Sequence, residues 1–343
     1  MILVSTNGPP GPMSGMSTNP LESGRFAQQP HFQVLRPEWP APSNVQAAFT
    51  ERGTLDEKGG DDGAAVAAGL SHFNLGAHVG DDPGRVARHR AAVDARWGVQ
   101  AVYLNQVHGR VVQPLADGDA QGATADASWT TAPGVACAIM VADCLPVLMT
   151  NRQGDWVGAA HAGWRGLAGE GARAQPQPDA DGHRAGFSNA ELPPGSPAGD
   201  GLAALPGGVL EALVQAYLQV PAAQPGQVRA TADLVAWLGP CIGPTAFEVG
   251  PEVRAAFLAQ AGAWRTQTGA QFTPQPGGKF LANLPGLARL WLAATGVTAV
   301  HGNDGTAAWC TVGQPERFFS YRRDQQALGA SGRMCAYIWL QAR

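Results

Sequence analysis

Residues 141–167 read "VADCLPVLMTNRQGDWVGAAHAGWRGL". Two apolar runs, "LPVLM" (145–149) and "WVGAAHA" (156–162), flank the polar tetrapeptide "NRQG". A short polar loop between such runs predicts an antiparallel hairpin. With Thr150 opposite Asp155, Cys144 falls opposite His161. Directly opposed residues carry Cβ atoms about 4.5–5.5 Å apart on one face. A single zinc ion bridges that separation through a thiolate bond of about 2.3 Å and an imidazole bond of about 2.0–2.1 Å. The assignment depends on register, because a one-residue slip sends the two side chains to opposite faces. Pro146 warns of a bulge or a sheet edge. The same spacing also suits an inert buried cysteine and a hydrogen-bonded core histidine.

The rest of the chain bounds what such a site serves. Its 343 residues are 45% hydrophobic and 15% charged, enough for a substantial core. The net charge is only −4 and no Lys/Arg run occurs, which argues against a nucleic-acid or anionic-membrane footprint. The opening "MILVSTNGPPGPM" resembles neither a signal peptide nor a membrane span, so a soluble, cytoplasmic protein is expected. Five widely spaced cysteines without a CxxC argue against both a disulfide framework and a zinc ribbon. A metal site must therefore be assembled from distant segments.

Residues 1–30 are rich in Gly, Pro, Ser, Asn and Gln and read as a disordered tail. Residues 31–343 read as a single domain carrying a flexible, Pro/Gly/Ala/Asp-rich insertion at about 171–208. Three helices are expected. "DDPGRVARHRAAVDARWG" offers Asp82 as N-cap, Pro83 at the first helical position and Gly98 past the end. "GPEVRAAFLAQAG" places Val253, Ala256, Phe257 and Gln260 near one face, and "LPGLARLWLAATG" does the same with Leu284, Leu287, Trp291 and Ala294. Six short apolar strands are expected at 101–104, 136–142, 145–149, 156–162, 234–239 and 335–340. Near-continuous apolar runs indicate strands covered on both faces. Helices and strands mix without strict alternation, which favours an α+β layered fold over a doubly wound sheet.

A third metal ligand is best sought at His108 in "YLNQVHGRVV", which follows a strand and precedes a glycine. His72, His78 and His301 compete for that role from loop-like settings. Six stretches then carry a resemblance: "FNLGAHVGDDP" (73–83), "LNQVHG" (104–109), "ADCLPVL" (142–148), "HAGWRGL" (161–167), "WLGPCIGPTAFEVGPEV" (237–253) and "FFSYRRD" (318–324). They resemble the YfiH family, also called the peptidoglycan editing factor, laccase-domain or purine nucleoside phosphorylase family.

The resemblance implies an αββα layered fold with mixed sheets and a zinc-capable site whose ligands fall on His108, Cys144 and His161. It implies phosphorolysis of adenosine, inosine, guanosine and methylthioadenosine, with adenosine deamination beside it. Two alternatives come with the family: a laccase-like polyphenol oxidase using Cu2+, and an amide hydrolase editing serine-containing peptidoglycan precursors. The implied partners are purine nucleosides and phosphate, with a homo-oligomer compatible and neither nucleic acid nor membrane expected. Eight histidines, three of them at one site, are too few for a multicopper oxidase. One departure stands out: Ala308 occupies a position where the family often has Asp; either Asp304 substitutes through a longer loop or the function of that carboxylate is missing.

Three protein ligands with an open fourth position describe a catalytic rather than a structural zinc site. Arg165, at a helix entry, completes the expected catalytic set with His108, Cys144 and His161 as the first phosphate candidate; Arg322 and Arg323 are the second. An ion pair of "YRRD" with Asp324 is the structural alternative for the latter two. Asn74 and Gln106 are neutral amides suited to a purine or ribose edge, although Asn in a turn is often structural. Asp143 either orients a ligand histidine or caps a turn. Cys310 reads as a buried inert thiol and Cys241 has no evident partner.

Overall fold

The computed structural model describes residues 32–53, 68–70, 72–119, 121–170, 207–222 and 226–341. The expected tail (1–30) and all but the last two residues of the expected insertion lie outside them. In chain order the strands are β1 (Val34–Leu35), β2 (Val45–Thr50), β3 (Gln100–Tyr103), β4 (Val112–Pro114), β5 (Ala127–Thr130), β6 (Val135–Val141), β7 (Leu145–Asn151), β8 (Val157–Ala162), β9 (Leu234–Leu238), β10 (Glu248–Val249), β11 (Phe272–Pro274), β12 (Phe280–Ala282), β13 (Ala299–Gly302) and β14 (Met334–Leu340). The helices are α1 (Pro83–Trp97), α2 (Trp164–Ala168), α3 (Val209–Gln219), α4 (Pro251–Gln260), α5 (Arg265–Gly269), α6 (Leu284–Ala294) and α7 (Gln326–Leu328).

Two main sheets form, β1-β2-β14-β6-β3 and β13-β9-β7-β8-β5-β4, beside a small sheet β10-β12-β11. Three pairs are parallel, β3–β6, β4–β5 and β9–β13, so both main sheets are mixed. The period-2 alternation of a strand sorts its residues between two cores. In β6, Val135, Cys137, Ile139 and Val141 face the second sheet, where they meet Leu148, Val157, Ala159 and Trp237. Ala136, Ala138 and Met140 face the other way, toward Ala92 and Val93 of α1. On the far side of the six-stranded sheet, Leu145, Val147, Met149, Ala160 and Ala162 pack against Leu213 of α3, Phe257 of α4 and Trp291 of α6. The layers are therefore helix, sheet, sheet, helices. Coverage on both faces is why these strands read as unbroken apolar runs.

All six expected strands and all three expected helices are present. Asp82 caps α1 by accepting from the Arg85 N–H at 2.6 Å, and Gly98 ends it at φ +63°. In α4 it is Leu258 that completes the buried face, leaving Gln260 half-buried. In α6, Ala294 is likewise half-buried, and Ala288 and Leu292 join the buried face.

The hairpin register differs from the expected one by two residues. Thr150 pairs with Val157 rather than Asp155, and Pro146 rather than Cys144 lies opposite His161. The strand is prolonged because Asn151 also pairs with Leu234 of β9. The Asn151 amide then clasps the wider turn, donating to Gln153 Oε1 (3.0 Å) and Asp155 Oδ1 (2.5 Å) and accepting from the Asp155 N–H (3.2 Å). An even slip preserves side-chain parity, so Cys144 and His161 stay on the face between the sheets. The Pro146 carbonyl accepts from the Gly239 N–H at 2.9 Å, and the Gly239 carbonyl accepts from Asn303 Nδ2 (2.9 Å) in place of the N–H that proline lacks.

Replacing Asn151 by Ala removes the clasp and leaves part of a buried turn unsatisfied. The expected loss is about 1–3 kcal/mol of stability, read as a lowered urea midpoint with an unchanged m-value.

Candidate metal centre

The site lies where the inter-sheet layer opens beyond the ends of β3, β7 and β8. After β3 the chain runs on through Asn105, which bridges to Thr124. Gln106 then prolongs the edge of β6 with its side chain: its Nε2 donates to the Met140 carbonyl and its Oε1 accepts from the Met140 N–H, both at 2.8 Å. The next two residues are exposed, and His108 takes φ +60°. That conformation is uncommon for a residue with a Cβ.

Asp126, immediately before β5, stabilises it. Its fully buried carboxylate accepts from the N–H groups of Val107 (3.2 Å), His108 (2.9 Å) and Gly109 (2.6 Å), and from His161 Nδ1 (2.9 Å). The Asp126 carbonyl also accepts from the His161 N–H at 2.7 Å. One residue thus sets both the loop carrying His108 and the ring of His161. Because Nδ1 is committed to Asp126, His161 presents Nε2 to the site. Burial works against the Asp126 charge, but the His161 contact and the amide donors outweigh it and hold its carboxyl below the usual range.

Cys144 follows a second strained residue, Asp143 at φ +88°. The Asp143 carboxylate accepts from Thr311 Oγ1 (2.5 Å), Ser320 Oγ (3.1 Å) and the Arg322 N–H (2.6 Å), and its carbonyl accepts from the Ile242 N–H (2.9 Å). Asp143 therefore orients no ligand histidine. It ties the β6–β7 corner to the 311–322 segment, and that corner aims Cys144 into the opening.

His108, Cys144 and His161 form a group that could hold a metal ion, with their ligand atoms all within 4.8 Å of one another. Cys144 Sγ lies 3.7 Å from His108 Nε2. A tetrahedral zinc with the usual bond lengths places sulfur and nitrogen about 3.6 Å apart. The donor set, one thiolate and two imidazoles, fits zinc and also copper. His161 is buried, Cys144 half-buried and His108 exposed, so the group opens toward solvent on one side. The close approach requires Gly163: a Cβ there would stand 2.9 Å from His108 Cδ2 and 3.0 Å from Cys144 Sγ.

The ligand group is electrostatically coupled. Burial alone would raise the Cys144 thiol, but the charge of His161 and the hydrogen bonds of both histidines bring it down to about 6. Burial would lower His161, but the Cys144 charge and the Asp126 hydrogen bond lift it to about 9. Between those values the pair is thiolate and imidazolium, a form ready to ligate once the imidazolium proton leaves.

The other expected residues are placed as follows. Asn74 is buried and fully engaged: it donates to Asp81 Oδ2 (2.7 Å) and the Gly76 carbonyl (3.2 Å) and accepts from the Gly76 and Arg333 N–H groups. Gln106 is engaged by Met140. Arg165 is exposed with its guanidinium over the Trp164 ring at 4.5 Å, and no hydrogen bond links it to the three ligand side chains among the described residues. Arg322 reaches the Ala246 and Glu248 carbonyls. Arg323 pairs with Asp324 and binds the Thr311, Val312 and Phe318 carbonyls, the structural alternative of the sequence analysis. Asp304 is exposed and caps its own turn by accepting from the Thr306 N–H (3.0 Å). All five cysteines are free; Cys310 is buried and Cys241 bridges to it in the backbone. Asp126 went unread because it precedes a four-residue strand and carries no local motif.

A family model described as "Multi-copper polyphenol oxidoreductase laccase" matches residues 58–175 and 201–341. The chain belongs to this laccase-domain family. Its curated relatives include the purine nucleoside phosphorylase of Pseudomonas aeruginosa, 39% identical over 90% of this chain and 98% of that protein. Purine nucleoside phosphorylase YfiH of Escherichia coli is 36% identical over 90% and 99%. Among solved structures, a Neisseria meningitidis protein superposes with a TM-score of 0.66 at 37% identity, covering 90% of this chain and 99% of that one. YlmD of Geobacillus stearothermophilus shares the fold at a TM-score of 0.65 and 24% identity, covering 91% and 99%. No helix among the described residues of this laccase-domain chain is long and apolar enough to cross a membrane.

Two outcomes check the centre. In metal-free protein, alkylation of Cys144 by iodoacetamide rises with a midpoint near pH 6 rather than near 9, as set by the lowered thiol. Asp126→Asn, which takes the carboxylate from His161, weakens zinc affinity by roughly 10–100-fold in a chelator competition.

Proposed function

We propose that this chain is a zinc-dependent purine nucleoside phosphorylase, with adenosine, inosine, guanosine and methylthioadenosine as substrates and adenosine deamination as a second activity. The observation that carries the reading is the group His108, Cys144 and His161, open on one side, in a chain that spans nearly the full length of relatives named purine nucleoside phosphorylase. In phosphorolysis the C1′–N9 bond of the nucleoside breaks, a phosphate oxygen bonds to C1′, and the purine leaves with a proton on N9. Deamination exchanges the adenine 6-amino group for water oxygen and releases ammonia.

Zinc bound at these residues would supply Lewis acidity and an acidified water. The chain's own contribution is preorganisation. Asp126 keeps the proton of His161 on Nδ1 and leaves Nε2 facing inward. The strained corner at Asp143 presents Cys144, and Gly163 leaves the room the two side chains share. The opening at His108 admits substrate while His161 stays at the buried end.

The name of the matching family favours a second reading, copper-dependent oxidation of phenols at the same residues. Only one three-ligand group is found among the described residues, which argues against the several copper ions of a multicopper oxidase.

Inosine incubated with phosphate and the zinc-loaded protein should give hypoxanthine and ribose 1-phosphate, and omitting phosphate should stop the reaction. Cys144→Ala should lose zinc by metal analysis and at least about 100-fold in rate, the order of a disrupted metal site. Intact inosine under these conditions, with oxygen uptake on a phenol by copper-loaded protein, would replace the first reading by the second.

A further inference from the structure

Arg333 enters β14 beside the metal-ligand group, yet no expectation from the sequence gave it a role. Its backbone N–H is fixed by Asn74 Oδ1 at 2.8 Å. Its Cγ packs so closely on Gly76 that a Cβ there would come within 2.6 Å. The guanidinium carbon lies 5.9 Å from the centre of the Tyr321 ring, itself 53% exposed. One of its nitrogens, Nη1, is engaged by the carbonyls of Ser331 and Gly332. Among the described residues no carboxylate pairs with it. Met334 pairs with Val141, so Arg333 sits at the start of β14 beside the β6–β7 corner that carries Asp143 and Cys144. Burial lowers its pKa, and the negative charges of Cys144, Asp143 and Tyr321 oppose that effect. The Asp143 carboxylate is already taken by Thr311, Ser320 and Arg322.

Two further groups surround it. The exposed His78 lies in the turn between Gly76 and Val79, which packs on Arg333: a Cβ at Gly76 would meet Arg333 Cγ and Val79 Cγ1. Burial, then the charges of Arg333, Arg90, His161 and His108, lower the His78 pKa. Arg90 is half-buried, held by the Leu75 carbonyl over the Tyr103 ring and also without a carboxylate partner among the described residues. A half-buried guanidinium with donors to spare gains most from an oxyanion, whose two oxygens match its fork. Arg165 and Arg322 lack this setting, since both are exposed while Arg333 is half-buried.

We propose that Arg333, with His78 beside it and Arg90 adding positive potential, binds inorganic phosphate next to His108, Cys144 and His161. Its use as the phosphate of the cleavage reaction rests on the phosphorylase reading; the binding itself does not.

The test is calorimetric titration of the full chain with inorganic phosphate. Arg333→Gln should weaken binding at least tenfold, Arg333→Lys should recover part of it, and both should keep the zinc content and melting temperature of the parent. In the unmodified protein, phosphate should slow phenylglyoxal labelling of Arg333, read by mass spectrometry, which keeps the test open if Arg333→Gln folds poorly. Phosphate binding that depends on Arg333 without inosine cleavage would retain this site and remove the phosphorylase reading. Absence of phosphate binding, or a loss that follows Arg165→Gln while Arg333→Gln binds normally, would overturn the proposal.

Discussion

A single buried carboxylate holds this site together. Asp126 gathers the N–H groups of Val107, His108 and Gly109 and the Nδ1–H of His161 at one point between β3, β5 and β8. Each donor lies in a position that would otherwise leave it buried or misdirected. A buried charge deprived of such partners costs several kcal/mol, so the four contacts are mutually dependent. The φ of +60° at His108 is tolerated because the surrounding amides are already committed. Without this carboxylate nothing would tie the loop carrying His108 to the ring of His161 on β8.

Asp143 plays the corresponding part on the other side. It accepts from a threonine, a serine and a backbone amide that come from residues 311–322, far along the chain. Its own φ of +88° turns β6 into β7 and sets where Cys144 points. The two acids leave the ligand group between two fixed corners, with the sandwich of sheets as the rigid support. Sites on such support are held more closely than sites on free loops. Arg333, at the start of β14, lies beside the Asp143 corner, and the turn carrying His78 packs on it.

Much of the layered fold was legible beforehand. Long apolar runs at 136–142, 156–162 and 335–340 announced strands covered on both faces, and capping residues at Asp82, Pro83 and Gly98 bounded α1. Strands β4, β5 and β10–β12 were not legible, because two to four residues carry too little periodicity to stand out. The hairpin was read with the right pair of strands and the right parity but the wrong register. A neighbouring strand, β9, extends β7 to Asn151, and no local pattern announces a partner 83 positions away at Leu234. Asn74 and Gln106 were read as substrate contacts from their chemistry alone; in the fold their amides are committed to Asp81, Gly76, Arg333 and Met140.

Residue chemistry and spacing by themselves determined the α+β class and the placing of Cys144 and His161 on one face. These depend on local periodicity and on parity, which survives a slip of two. Tertiary structure alone decided that Asp126 and Asp143 orient the group, that Arg165 lies on the surface over Trp164, and that Arg333 stands beside the corner carrying Asp143 and Cys144. Those relations join segments as much as 190 positions apart, from Asp143 to Arg333. Pairing of distant strands, here Met334 of β14 opposite Val141 of β6, brings such segments within reach of a hydrogen bond or a charge.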